Sequence, residues 1–131
     1  MKLVLQLFYK VILINNKRNN KIMITIDDLK KIDIRIGEIL SAEKVPDTDK
    51  LLRLEVDLGE EEPRQIVSGV ALYFDDIESL VGKKCTFVAN LEPRTIRGLE
   101  SNGMILAVSD KDDNFSLLTS DSIIPAGTCV T

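Results

Sequence analysis

From Met23 onward, apolar and polar residues alternate with the two-residue period of strands, interrupted at short intervals by turn residues. In KIDIRIGEILSAEKV, Ile32, Ile34 and Ile36 fall on one side, and Asp33, Arg35 and Gly37 on the other. After the turn PDTDK, the run LLRLEVDLG sets Leu52, Leu54, Val56 and Leu58 opposite Arg53, Glu55 and Asp57. GEEEP turns the chain into a third strand, RQIVSGVA, and YFDDIESLVGK predicts a short helical turn before Gly82. KKCTFVANL is a fourth strand, with Cys85, Phe87 and Ala89 sharing a face. MILAVSD and FSLLT predict two more, separated by the turn KDDN, and SIIPAGTCVT is an extended tail. Ahead of them, Thr25 followed by Asp28 has the spacing of a capping box and predicts a short helix over Ile26 to Lys31.

Three adjoining strands, a helical turn and a return to the sheet describe an all-β fold. The expected form is a five-stranded Greek-key barrel of the oligonucleotide-binding (OB) type, with extra C-terminal strands and short helices. Residues 23–131 are expected to form it. Residues 1–22 follow another pattern, with five Lys or Arg and no acid. They are expected to be an N-terminal extension, disordered or lying upstream of a natural start at Met23. The apolar run from Leu3 is broken by Gln6 and Lys10 and is too short to span a bilayer. NNKRNNK follows it where a signal peptide would present small residues.

Composition removes several chemistries. The chain has 131 residues, no histidine and two cysteines. It therefore offers neither an imidazole base nor a zinc site of ordinary ligands. Two lone cysteines fit a reducing, cytoplasmic setting, with Cys85 in the core. Neither GxxxxGK[ST] nor GxGxxG occurs, and Asp110, Asp112 and Asp113 lack the pattern of a calcium loop. No cofactor, metal or catalytic group is expected. Net charge is −4, but unevenly spread: residues 36–82 hold four Lys/Arg against twelve Asp/Glu, whereas residues 83–131 hold five against six.

The stretch NLEPRTIRGLESNGM, residues 90–104, stands out in this acidic chain. Pro93 stiffens it, Gly98 and Gly103 permit unusual backbone angles, and Arg94 and Arg97 supply two guanidinium forks suited to phosphate oxygens. Asn90, Ser101 and Asn102 add neutral hydrogen-bonding groups suited to ribose and base edges. Composition leaves two readings open: a binding loop, or a surface loop whose arginines pair with Glu92 and Glu100. Lys50 in PDTDKL, and Arg64 and Ser68 in RQIVSGV, are further candidates. Tyr73 and Phe74 are either stacking platforms or one core and one rim residue.

From about Asp33 to the C-terminus the chain resembles the tRNA-binding domain appended to methionyl-tRNA synthetases. It is similar also to free-standing tRNA-binding proteins. The resemblance rests on DIRIGEI, PDTDKLLRLEVDLGEE, PRQIVSGVA and the block formed by Asn90, Leu91, Pro93, Arg94, Gly98, Ser101, Gly103 and Met104. It implies an OB-fold that grips the outer corner of tRNA without reading the anticodon. It also implies a homodimer made by the N-terminal helix and C-terminal strands. The contacts it implies are Lys50, Asn90, Arg94, Arg97, Ser101 and Met104, with Arg64 and Ser68 nearby. With no synthetase catalytic pattern present, the expected role is a non-enzymatic subunit or appended module serving a methionyl-tRNA synthetase chain. The rival expectation is an export chaperone of the CsaA type, which shares the barrel and would need an apolar groove for unfolded peptides.

Overall fold

One long, bent strand organises the molecule by serving two partners in succession. In the computed structural model, which describes residues 22–131, β1 (Ile34–Lys44) pairs antiparallel with β4 (Lys84–Val88) through Ile34–Glu38. It pairs with β2 (Leu52–Asp57) through Glu38–Lys44, and a register shift between Ile39 and Ser41 marks the bend. β2 pairs in turn with β3 (Arg64–Ser68). The expected extension over residues 1–22 lies outside the described residues except for Ile22.

The alternation in LLRLEVDLG is realised as read: Leu52, Leu54, Val56 and Leu58 are all fully buried. Cys85, Phe87 and Ala89 join them, as expected, and burial pushes the Cys85 thiol up to about 11. In β1 the alternation holds, but the core lies on the side of Gly37 and Ile39. A Cβ on Gly37 would stand 2.7 Å from Leu58 and Val56, so only glycine fits there. On the opposite side Ile32 is 44% exposed and Ile34 half-buried, while Ile36 is buried where the C-terminal tail lies along the strand.

The helix α1 (Ile26–Leu29) is shorter than expected, although its capping box is complete: Thr25 Oγ1 accepts from the Asp28 N–H, and Asp28 accepts from the Thr25 N–H. It buries no side chain, and its last turn tightens into i→i+3 bonds at Lys31 and Ile32, so nothing extends it. Two 3-10 turns, Ala71–Tyr73 and Ile77–Leu80, bridge β3 and β4.

Beyond β4 come the hairpin β5 (Arg94–Ile96) and β6 (Leu99–Ser101), then β7 (Met104–Ile105), which pairs back onto β4. The five-stranded sheet runs β3-β2-β1-β4-β7. MILAVSD forms two strands rather than the one expected. At Leu106 the chain leaves β4's ladder, and Ala107–Ser109 (β8) pairs instead with Phe115–Leu117 (β9). The C-terminal tail lies along the start of β1, with the Ile36 N–H donating to Thr128 O at 2.8 Å and the Val130 N–H to Ile34 O at 2.8 Å.

Candidate nucleic-acid interface

The segment between β4 and β7, read from sequence as a loop, is a two-stranded arm. Arg94 faces Ser101, Thr95 faces Glu100 and Ile96 faces Leu99. Arg97 and Gly98 form the two-residue turn, both at positive φ (51° and 79°), the requirement of a type I′ hairpin. Glycine takes such a φ freely; an arginine holds it at a cost of about 1 kcal/mol or more.

The arm is fastened on its inner face. Ser101 is 4% exposed, and its hydroxyl accepts from the Val67 N–H at 3.0 Å and donates to Gly103 O at 3.3 Å. Gln65 contributes twice: its carbonyl accepts from the Asn102 N–H and its side-chain amide donates to Glu100 O, each at 2.9 Å. These bonds nearly close the barrel between β3 and the arm, taking over from a regular ladder. Farther out, Leu99 shares a cleft of about 220 Å³ with Val45, Pro46 and Arg53. The arm therefore faces, across this cleft, the start of the β1–β2 loop, residues 45–51, which carries Lys50. In barrels of this type these two connections are the oligonucleotide-binding loops.

The candidate residues divide by what their side chains do. Lys50, Arg94 and Arg97 are exposed and take part in no ion pair among the described residues. The alternative pairing of Arg94 and Arg97 with Glu92 and Glu100 does not occur. Met104 is 45% exposed at the foot of the arm, and Ser68 is half-buried at the end of β3.

Three others are engaged within the fold. Asn90 Oδ1 accepts from the Asp33 N–H at 2.9 Å, and its Nδ2 donates to Lys31 O at 2.7 Å. Ser101 is held as described. Arg64 grips Glu60 with two bonds of 2.7 Å and also donates to the carbonyls of Ala89 and Asn102. Its hydrogen bonds hold the Glu60 carboxyl below the usual carboxylate range, and Arg35 does the same for Asp33. Gln65, Leu99 and Glu60 were not singled out from sequence. Their roles depend on partners 35, 54 and four residues away, and only the Glu60–Arg64 spacing was a readable local signal.

A recess of about 670 Å³ lies at the arm's root, lined by Glu60, Glu61, Glu62, Arg64, Leu91 and Pro93. Its three glutamates outnumber the one arginine, itself bound to Glu60, so the recess disfavours phosphate. Among the described residues no grouping of His, Cys, Asp or Glu is placed to hold a metal, and no helix is long and apolar enough to cross a membrane.

A profile of the tRNA-binding domain family matches residues 34–129. The chain is 49% identical over 110 residues to the methionine–tRNA ligase of Methanococcoides burtonii, covering 84% of this chain but 16% of that protein. Among solved structures it resembles a MetRS-related protein from Pyrococcus horikoshii (TM-score 0.77, 36% identity, 83% of this chain and 98% of that one). It also resembles the chaperone CsaA from Bacillus anthracis (TM-score 0.72, 28% identity, 83% and 99%).

Proposed function

Because this chain belongs to the tRNA-binding domain family, we propose that it is a non-catalytic module gripping the outer corner of tRNA by its backbone, without discriminating among tRNAs. The observation that carries this reading is the braced arm, which offers Arg94 and Arg97, without ion-pair partners among the described residues, beside the loop of Lys50. Guanidinium and ammonium groups without carboxylate partners are free to displace counterions from phosphates. Met104 contributes an apolar contact and Ser68 a hydroxyl at the edge of this face. Asn90, Arg64 and Ser101 act on the RNA through the backbone they hold. The module serves a methionyl-tRNA synthetase catalytic chain in the cytoplasm, raising its local tRNA concentration.

The test is fluorescence anisotropy with several unrelated tRNAs across a salt series. Similar affinities that weaken steeply with salt support the reading. Absence of binding to every tRNA at low salt ends it.

The module works as a homodimer. Ile26, Leu29, Ile32, Ile34 and Val130 line a mostly apolar recess of about 420 Å³ where α1 meets the C-terminal tail. Ile26, Leu29, Ile32 and Val130 are exposed and Ile34 is half-buried, and a second copy would cover them symmetrically. Sedimentation of the wild-type chain as a dimer, and of Ile26→Glu with Ile32→Glu as a monomer, supports this arrangement. A monomeric wild type removes it.

The likeness to CsaA favours a second reading, binding of unfolded peptides. Suppression of client aggregation that survives Arg94→Ala with Arg97→Ala would favour that reading over the first.

A further inference from the structure

Lys50 has a neighbour that the cationic arm does not explain. Its carbonyl accepts from the Ala71 N–H at 3.0 Å, which seats the 3-10 turn Ala71–Tyr73 beside it. In that turn Ala71 is buried, Leu72 is 42% exposed and Tyr73 is half-buried. The Tyr73 ring lies flat against Phe115, with centroids 4.0 Å apart and planes 8° from parallel. Phe74 meets Phe115 edge-on at 5.7 Å and 87°. Tyr73 is thus backed by one ring that is itself braced by a second, and its hydroxyl makes no hydrogen bond among the described residues.

From this arrangement we propose that Tyr73 is a stacking platform for an unpaired base of the bound RNA, while Lys50 takes a phosphate of the adjoining backbone. The proposal rests on the tRNA-binding reading and sharpens it: the RNA must present an unstacked nucleotide at the β1–β2 end of the barrel. A base extends an existing aromatic stack whatever its identity, which suits recognition without sequence preference. Phe115 already fixes the tyrosine ring, so little rotamer freedom is lost on binding. The local charge fits the same division of labour. Asp113 bears on Tyr73, and Asp49 and Asp75 flank the two segments in sequence. An uncharged base tolerates these carboxylates, whereas a phosphate is directed to the lysine. The competing role for the three rings is to pin the 3-10 turn to the β8–β9 hairpin.

The test uses the full chain and an unmodified tRNA, with a fully paired RNA duplex as comparison. Tyr73→Leu is expected to weaken tRNA binding about tenfold while leaving the salt slope unchanged, because no phosphate contact is lost. Tyr73→Phe, which keeps the ring, restores affinity to within about twofold of wild type. Affinity for the duplex, which has no base to stack, is expected to be the same in all three proteins. In a Tyr9→Phe background Tyr73 is the sole tyrosine, and tRNA is expected to quench its emission. Wild-type affinity in a Tyr73→Leu protein of unchanged melting temperature overturns the platform. Should that variant fail to fold, unquenched Tyr73 emission at saturating tRNA overturns it instead. In either case, continued loss of binding in Arg94→Ala with Arg97→Ala leaves the tRNA-binding reading standing. A wild type that binds no tRNA removes both.

Discussion

Two pairs of arginines in this small barrel have opposite fates. Arg35 and Arg64 sit at the end of the barrel where the β2–β3 turn folds over, interlocked with Asp33 and Glu60. Arg94 and Arg97 sit on the arm, with Glu92 and Glu100 close in sequence, yet neither pairs with an acid among the described residues. The first pair is spent on structure and the second is left to solvent. Residue type and the nearness of acids in sequence do not separate them. Closure does: the i to i+4 reach from Glu60 to Arg64 across a tight turn closes one fork, and Arg35 closes another on Asp33 while also reaching Glu60. The extended arm gives its arginines no such closure.

The contrast breaks most sharply by removing one pair at a time. Arg94→Ala with Arg97→Ala is expected to lower tRNA affinity about a hundredfold at low salt, to flatten the salt dependence by about two ions, and to leave melting unchanged. Arg64→Ala is expected to behave inversely. It strips the Ala89 carbonyl of its guanidinium donor and Glu60 of its partner, and urea melts are expected to show a loss of about 1–3 kcal/mol.

Ser101→Ala tests whether the arm needs its fastening. The Val67 N–H is left without its acceptor in a buried position, at a cost of about 1–3 kcal/mol, and the arm loses its hold on β3. Calorimetry and anisotropy together check that stability and affinity fall in the same variant.

A smaller effect, of opposite sign in the two measurements, is expected from Arg97→Asn. Asparagine accepts positive φ more readily, so stability rises by up to about 1 kcal/mol while tRNA affinity falls. Equal or tighter RNA binding by this variant would show that Arg97 is a turn residue only.

The smallest effect is in acid. Arg35 and Arg64 hold the Asp33 and Glu60 carboxyls below their ordinary values, so their stabilisation is complete above the unfolded carboxylate range near about 4. It is lost as pH falls through the depressed folded values. Urea midpoints from pH 7 down to 3 are expected to decline less in Glu60→Gln than in wild type.

Much of the barrel was legible because its strands obey a two-residue period over long runs, as Leu52 to Leu58 show. The arm was not. Its strands are three residues each, below the length at which a period declares itself, and its turn carries Arg-Gly where Asn-Gly is the recognisable signal. The inner side of β1 was hidden for a similar reason: the core faces Gly37, a residue with no apolar side chain to count. At the site, family resemblance picked out Asn90, Ser101 and Arg64 together with Arg94 and Arg97. A motif marks the positions a fold needs without distinguishing the hand from the wrist, and only the hydrogen bonds of Asn90 and Ser101 make that distinction.

Asn90 also works as a hinge pin between two faces. Its amide clasps the main chain at Lys31 and Asp33, the link leaving α1, while its own backbone begins the cationic arm. In the proposed dimer, a neighbour docked against α1 would bear on the root of the arm through this side chain, together with the Ala89 N–H that donates to Asp33 O at 2.7 Å. Any resulting cooperativity must run equally in both directions, with nucleic acid favouring assembly as much as assembly favours nucleic acid.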